Sequence, residues 1–318
     1  MKIVVTGAAG FIATNLLPRL LERGDEVHGI DNFFLGKREY IARSLERPNF
    51  EFHEFDLLDR DRVVALFQRL RPDLVWHLAA NSDIQFGTSY TDFDLKGGTV
   101  VTYNVLEGMR MSQTKALIFS SSGAIYGEPS VMPTPESYGP IFPISLYAAS
   151  KVACETLITA FAHNYGIQCW IFRFGNIAGP FPTHGVIYDF IHKLQADATR
   201  LQILGDGRQS KPYVHVEDCL DGMMFGHAHA SERVNFYNLA VTDATSVNEI
   251  AQWTIEEMGL DPKQVRLEYT GGSRGWPGDV AQVRLDTRKM QALGWRPAMS
   301  SAEAVRRTIR ETVEQLTH

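Results

Sequence analysis

The chain opens on an apolar, β-branched run, Ile3-Val4-Val5, and then changes period. From 11 to 23 the apolar positions Ile12, Leu16, Leu17, Leu20 and Leu21 recur three and four apart, and the stretch stops at Gly24. A short β-branched run fits a buried strand and the later spacing fits one side of a helix, so this segment reads as strand, turn, helix. The same change of period then repeats. Strands are predicted over 26–30, 50–55, 74–78, 116–119 and 168–172, helices over 63–70, 100–111 and 147–165, and one further strand over 234–239. Strands alternating with helices predict a parallel sheet covered on both faces.

The expected fold is α/β, a doubly wound parallel sheet of the Rossmann type, in which ligands gather beyond the carboxyl ends of the strands. Asp56, Ala79, Ala80, Asn81, the serines 120–122 and residues 173–176 fall at those ends. After Gly179-Pro180 the alternation weakens and loops such as Gly205-Asp206-Gly207 and 271–278 set in, predicting a smaller α/β substrate lobe. The expected division assigns 1–175 to a nucleotide-binding domain, rejoined by 213–247, and 176–212 with 248–318 to the second lobe. At 318 residues and 44% hydrophobic, the chain can bury cores of this size. A net charge of −6 gives no electrostatic case for nucleic acid or an anionic membrane. The start carries one lysine and then a strand, with no signal-peptide pattern and no apolar stretch of bilayer length, so a cytoplasmic protein is expected. Cys154, Cys169 and Cys219, odd in number and well separated, suggest reduced thiols used in packing. His227 and His229 stand close together without a Cys or carboxylate cluster, so no metal is expected.

The first turn carries chemistry. In Thr6-Gly7-Ala8-Ala9-Gly10-Phe11-Ile12-Ala13, Gly7 and Gly10 leave a bare backbone at the start of a helix. A pyrophosphate can approach there, where unpaired N–H groups and the helix dipole favour negative charge. Ala13 is a third small position that lets helix and sheet pack closely. The second strand delivers Asp31, whose carboxylate suits a ribose 2′-hydroxyl and favours NAD over a 2′-phosphorylated cofactor. Further on, Tyr147 and Lys151 form the sole Tyr-x-x-x-Lys of the chain and share one helix face. A phenol titrates near pH 10, and an adjacent ammonium together with an oxidised nicotinamide favours its ionised form. Ser122, ending a predicted strand, can donate a hydrogen bond to a reacting oxygen. A dinucleotide cradle and a tyrosine base in one chain point to redox chemistry. A dehydrogenase or reductase acting on a small polar substrate, and a non-catalytic NAD-binding regulator, both stay open at this point.

With these residues in place the chain resembles the extended short-chain dehydrogenases/reductases, specifically the nucleotide-sugar epimerase and dehydratase family, over essentially its whole length. The resemblance rests on the cradle, on Asp31-Asn32, Asp56-Leu57 and His77-Leu78-Ala79-Ala80, and on the stretch 120–127. It continues through 147–151, Arg173-Phe174-Gly175-Asn176, Gly179-Pro180, Gly205-Asp206-Gly207-Arg208-Gln209, Val216-Glu217-Asp218 and Gly278-Asp279. It implies a seven-stranded sheet and a tightly held NAD touching Gly7, Gly10, Phe11, Ile12, Asp31, Asn32, Asp56, Leu57, Leu78, Ala79, Ala80, Tyr147 and Lys151. It also implies a nucleoside-diphosphate sugar held by Ser122, Gly123, Asn176, Gly185, Val186, Ile187, Gln209, Lys211, Arg274 and Asp279, with Ser122, Tyr147 and Lys151 as catalysts. Asn176 is expected on the diphosphate and 185–187 on the nucleotide through their backbone. A homodimer formed through the helices near 100–111 and 147–165 is the corresponding expectation.

The reaction follows from absent groups. The 4,6-dehydratases and glucuronate decarboxylases that resemble this chain carry an acid two places after the residue matching Ser122, where this chain has Ala124. Elimination needs a positioned acid and base, and alanine transfers no proton. A 4-epimerase needs only Ser122, Tyr147, Lys151 and the cofactor, so epimerisation at C4 through a transient 4-keto sugar is expected. Val283 stands where some epimerases have a bulky tyrosine, which favours a site roomy enough for N-acetylamino sugars as well as glucose and galactose. Glucuronate epimerases tend to have threonine at the place of Asn176 and an arginine near Thr183; this chain has neither, so an epimerase for UDP-glucuronate stays as an alternative that the residues do not favour. Other departures are Gly98 for a cofactor-contacting asparagine, Lys211-Pro212 for an Arg-Asp pair, and Trp276 for a diphosphate-binding arginine that Arg274 is placed to replace. Arg306, Arg307 and Arg310 read as a solvated face of the last helix.

Overall fold

Seven strands form one sheet: β1 Lys2–Thr6, β2 Glu26–Asp31, β3 Phe50–Glu54, β4 Leu74–His77, β5 Ala116–Ser122, β6 Gln168–Phe174 and β7 Val234–Leu239. Their order across the sheet is β7-β6-β5-β4-β1-β2-β3 in this computed structural model, which describes residues 1–82, 84–272 and 283–317. The pairs β1–β2, β2–β3, β1–β4 and β4–β5 are parallel. The chain winds outward from β1 to β3 and then returns to the other side of β1 to lay down β4. That reversal opens a crevice at the carboxyl ends of β1 and β4, where a ligand can lie.

Helices α1 Phe11–Glu22, α2 Arg60–Leu70, α3 Val101–Ser112 and α4 Leu146–Tyr165 connect these strands. Val63, Phe67, Val105, Leu106, Met109, Ile158 and Ala162 from α2, α3 and α4 meet Val4, Val75, Leu117, Phe119 and Ile171 from the sheet in one buried cluster. Each large side chain of this kind contributes about 1.5–3 kcal/mol when fully buried. Capping fixes where the helices start. Helix α2 begins at Arg60, earlier than the apolar period predicts, because the Asp59 carboxylate accepts the Arg62 N–H at 3.1 Å. Helix α4 begins at Leu146, where the Ser145 hydroxyl accepts the Ala148 N–H at 3.2 Å, and stops at Gly166 in left-handed conformation. Ahead of α3, Leu95–Val100 forms a π-helical turn that the sequence reading did not resolve.

Contacts divide the chain into two compact units. One comprises Met1–Gly127, Pro140–Arg173 and Met223–Tyr237; the other comprises Glu128–Gly139, Phe174–Gly222 and Asn238–His318. The segment returning to the first unit is shorter than 213–247, and Glu128–Gly139 joins the second unit. After Gly179-Pro180 the chain builds the smaller α/β lobe that the sequence predicts. Helices Val186–Ala196, Val216–His229, Val247–Glu257 and Ser301–Thr317 follow there, with short pairs such as Asn176–Ala178 beside Tyr213–His215 and Arg200–Ile203 beside Arg266–Tyr269. Strands of two to four residues are too short to display a period. The second core gathers Ile187, Phe190, Ile191, Leu201, Ile250, Ile255, Val305 and Ile309. The arginines of the last helix are likewise partnered. Arg306 stacks on Trp253 at 4.5 Å, Arg307 pairs with Glu217 and Glu311, and Arg310 pairs with Glu257 at 3.3 Å. Among the described residues no helix is long and apolar enough to cross a membrane.

Candidate active site

The turn between β1 and α1 is shaped by close approach. Gly7 has φ +68°, and a Cβ built there would lie 2.8 Å from the Ala79 Cα and N at the exit of β4. An alanine would therefore be strained and would collide with backbone. Gly10 is the N-cap of the 12-residue α1, with no side-chain cap bond and no acid in the first turn. The leading amides of α1, at Phe11 and Ile12, thus meet no competing carboxylate from their own helix, which is what an anion-binding helix terminus requires. The Asp31 carboxylate accepts the Ala9 N–H at 3.0 Å and the Phe33 N–H at 2.7 Å. Burial pushes its pKa up, against the downward pull of these backbone donors. Two further predicted cofactor residues adjoin it: the Asn32 amide donates to Asp56 at 3.1 Å, and Asp56 in turn accepts the Leu58 N–H at 2.8 Å. Asn104 secures the Leu57 carbonyl at 2.9 Å. A cradle with no room for a Cβ, an uncapped helix start and a half-buried carboxylate held from the backbone fit a dinucleotide.

The second cluster lies on β5 and α4. The half-buried Tyr147 phenol hydrogen-bonds to the Ser122 hydroxyl, and Ser122 Oγ accepts the Ala124 N–H at 3.2 Å. Lys151 is buried and donates from Nζ to the Ser120 carbonyl at 2.7 Å, with Nζ 5.8 Å from the centre of the Tyr147 ring. Burial pushes the lysine down to about 8, offset in part by Cys154, Glu155 and Asp94. The protein's own surroundings act against ionisation of the Tyr147 phenol, which the expectation ties to the charge of an oxidised nicotinamide as well as to Lys151. Burial pushes the phenol up to about 12, Asp94 and Cys154 add to the rise, and the Ser122 bond opposes it. At neutral pH the site therefore holds a phenol and, predominantly, an ammonium.

Behind these groups lie two buried networks. Thr6 Oγ1 receives the Leu78 and Ala79 N–H groups at 3.2 and 3.3 Å and faces His77 Nδ1 at 2.7 Å. His77 Nε2 meets Thr102 Oγ1 at 2.9 Å, and Thr102 donates to Cys154 at 3.1 Å. Burial drives His77 down to about 3, so the ring is neutral and the network assigns its proton to Nε2. This chain of bonds fixes Leu78 and Ala79, two predicted cofactor contacts, against the cradle; Ala80 follows them in the loop after β4. The second network joins Glu155 to Arg173 at 2.7 Å, with Ser121 donating to Glu155 at 2.6 Å and Arg173 to the Tyr126 hydroxyl at 2.8 Å. Glu155 and Asp94 were not singled out in the sequence. The lysine-to-glutamate spacing of four was a usable signal for Glu155; nothing local marked Asp94, whose carboxylate accepts the Asn81 amide at 3.0 Å. Gly98 also gains an explanation. A Cβ there would lie 2.1 Å from Ser150 Oγ, which donates to the Asp94 carbonyl at 2.7 Å, so an asparagine cannot be placed without moving Ser150.

The first unit thus brings together the cradle, Asp31, Asn32, Asp56, Leu57, Leu78, Ala79, Ser122, Gly123, Tyr147 and Lys151. Asn176, Gly185, Val186, Ile187, Gln209 and Lys211 belong to the second. Asn176 opens a short strand and donates its N–H to Pro212 at 3.2 Å. Gly185, at φ +108°, is the N-cap of helix Val186–Ala196 without a side-chain cap. The Gln209 amide donates to the Leu204 carbonyl at 3.1 Å, and Lys211 lies in a two-residue strand paired with Thr245–Ser246. Val283 is half-buried. Arg274, Trp276 and Asp279 lie outside the described residues.

Residues 3–240 match the protein family described as "NAD dependent epimerase/dehydratase family". Similar proteins include the UDP-glucose 4-epimerase of Mycolicibacterium smegmatis, 31% identical, the alignment covering 97% of each chain. A crystal structure of a UDP-galactose 4-epimerase superposes with a TM-score of 0.87 at 36% identity, covering 99% of this chain and 100% of that one. The UDP-glucose 4-epimerase of Thermus thermophilus, in complex with NAD, superposes with a TM-score of 0.85 at 30% identity, covering 98% of each.

Proposed function

The chain belongs to the NAD dependent epimerase/dehydratase family, and from that premise we propose that it interconverts C4 epimers of a nucleoside-diphosphate sugar, UDP-glucose and UDP-galactose or their N-acetylamino forms. The observation that carries this reading is the Ser122–Tyr147–Lys151 cluster with alanine at 124. The nearby acids are committed elsewhere: Glu155 to Arg173 and Ser121, and Asp94 to Asn81. Elimination of water or carbon dioxide would need a proton donor or acceptor that this cluster does not offer, whereas epimerisation needs a single base.

Each residue has a defined task. The leading amides of α1 hold the cofactor pyrophosphate, and the Asp31 carboxylate accepts from the adenosine ribose. When bound, NAD would supply the hydride acceptor and donor for C4. Ser122 donates to the sugar 4-oxygen and orients it. Tyr147, in its phenolate form, removes the 4-hydroxyl proton and later gives it back. Lys151, anchored on the Ser120 carbonyl, places its ammonium beside the phenol and, together with the positive charge that an oxidised nicotinamide would bring, favours the phenolate before the proton moves. Asn176, Gln209, Lys211 and the backbone at Gly185, Val186 and Ile187 are proposed to hold the nucleotide and diphosphate, together with Arg274 and Asp279. A homodimer through α3 and α4 completes the reading.

The test is to incubate purified protein, without added cofactor, with UDP-glucose and UDP-N-acetylglucosamine separately and to follow the anomeric protons by NMR. Growth of a second anomeric signal to a fixed ratio supports 4-epimerisation with resident NAD. Unchanged sugars, with NADH formed only when NAD and small alcohols or amino acids are supplied, would replace it with a dehydrogenase.

A further inference from the structure

On β2 and β3, at one margin of the sheet, four ionisable side chains share a face. The register sets His28 opposite Glu51, and the two-residue period of each strand adds Glu26 beside His28 and His53 beside Glu51. His28 is buried and His53 largely so, while both glutamates are exposed, so the cluster opens to solvent on its acidic side. His28 Nδ1 lies 3.1 Å from His53 Nε2 and 3.3 Å from Glu51 Oε2, and His28 Nε2 lies 3.0 Å from Glu26 Oε1.

These distances pose a proton-counting problem. If neutral His28 carries its proton on Nε2, toward Glu26, its Nδ1 lone pair faces the Glu51 carboxylate. If it carries the proton on Nδ1, its Nε2 lone pair faces Glu26. With both imidazoles neutral, the first tautomer lets Nδ1 accept the His53 Nε2–H yet still leaves that lone pair 3.3 Å from Glu51 Oε2, a repulsion that a cation at the centre would relieve. Arg69 does not supply it, since it stands 3.7 Å from the other Glu51 oxygen, and Lys2 approaches Glu26 from outside at 3.4 Å.

We propose that His28, His53 and Glu51 form a binding site for a divalent transition-metal ion of the zinc class, with Glu26 orienting His28 from behind. Donors bound at about 2.0–2.1 Å to a tetrahedral ion stand roughly 3.4 Å apart. Two edges of the cluster are already 3.1 and 3.3 Å, and all three donors lie within 4.8 Å of one another. Two imidazoles and one carboxylate suit zinc, cobalt or nickel rather than magnesium or calcium. A histidine whose second nitrogen bonds a carboxylate is the usual way a metal-binding ring is held in orientation. The exposed side leaves the fourth position to water.

The probe is cobalt(II), whose visible absorption reports tetrahedral ligation. Full-length protein stripped with a chelator is titrated with cobalt, then with zinc. The expected result is a visible band saturating at one ion per chain, bleached by zinc, abolished in Glu51→Gln and His53→Gln, and shifted to 10–100-fold weaker binding in Glu26→Gln. Glu51 is exposed, so its variant keeps the test decisive even if His53→Gln fails to fold. Absence of the band, or equal affinity in wild type, Glu51→Gln and His53→Gln, would overturn the site and leave a proton shared by the histidine pair.

Discussion

Lys151 holds its ammonium in a buried position at a cost, and that cost has a pH signature. Its pKa is about 8 in the folded chain against about 10.5 when unfolded, so between these values the unfolded chain binds more protons. Stability then rises with pH across that window, by about 1.4 kcal/mol per pH unit from this group, and is lowest below pH 8, where the buried charge is fully present. Chemical denaturation from pH 7 to 10.5 should show this rise in wild type and lose it in Lys151→Met; parallel curves would reject the assignment. Tyr147→Phe should retain NAD, since the cradle and Asp31 are untouched, while epimerisation falls by 10²-fold or more, the low end of general-base contributions. Full activity in that variant, measured by the anomeric NMR signals, would remove Tyr147 as the base. The identities of Tyr147, Lys151, Gly7 and Asp31 were legible because their spacing along one helix or one turn fixes their geometry. The upward shift of the tyrosine was not, because it comes from burial and from the charge of Asp94, which arrive from elsewhere in the chain. His28 and Glu51 were invisible for the same reason, being joined only by strand register.

Helix α4 carries Tyr147, Lys151 and Glu155 at successive intervals of four, so one stripe holds the proposed proton-transfer pair and the anchor to Arg173. Its start is set by Ser145, two residues before Tyr147. Ser145→Ala should lower the unfolding free energy by about 1 kcal/mol, the usual worth of such a cap, as read by the midpoint of urea denaturation. An unchanged midpoint would mean that packing alone fixes the first turn. The long helices and buried strands of the first unit were legible because their periods run for several turns or residues. The elements of the second unit were not, since two-residue strands such as Ser210–Lys211 take their form from the partner beside them.

For the whole molecule, the exposed apolar side chains of α3 and α4 carry the proposal of a dimer. Tyr103 and Met111 on α3 and Tyr165 at the end of α4 remain exposed, and Phe161 packs against both tyrosines. Sedimentation velocity should find a dimer, shifted to monomer by Tyr103→Glu with Tyr165→Glu; a wild-type monomer would remove this surface as an interface.

The strand order has a further consequence during synthesis. Strand β6 ends at Phe174, but its outer neighbour β7 begins only at Val234. At about 5–20 residues per second, a ribosome needs several seconds to make the intervening stretch. Until then the nascent chain presents Trp170, Ile171 and Phe172 on a strand with one unpaired edge. The last place in the sheet is reserved for a strand not yet made, so an edge that the finished fold covers stands open while the chain is still being built.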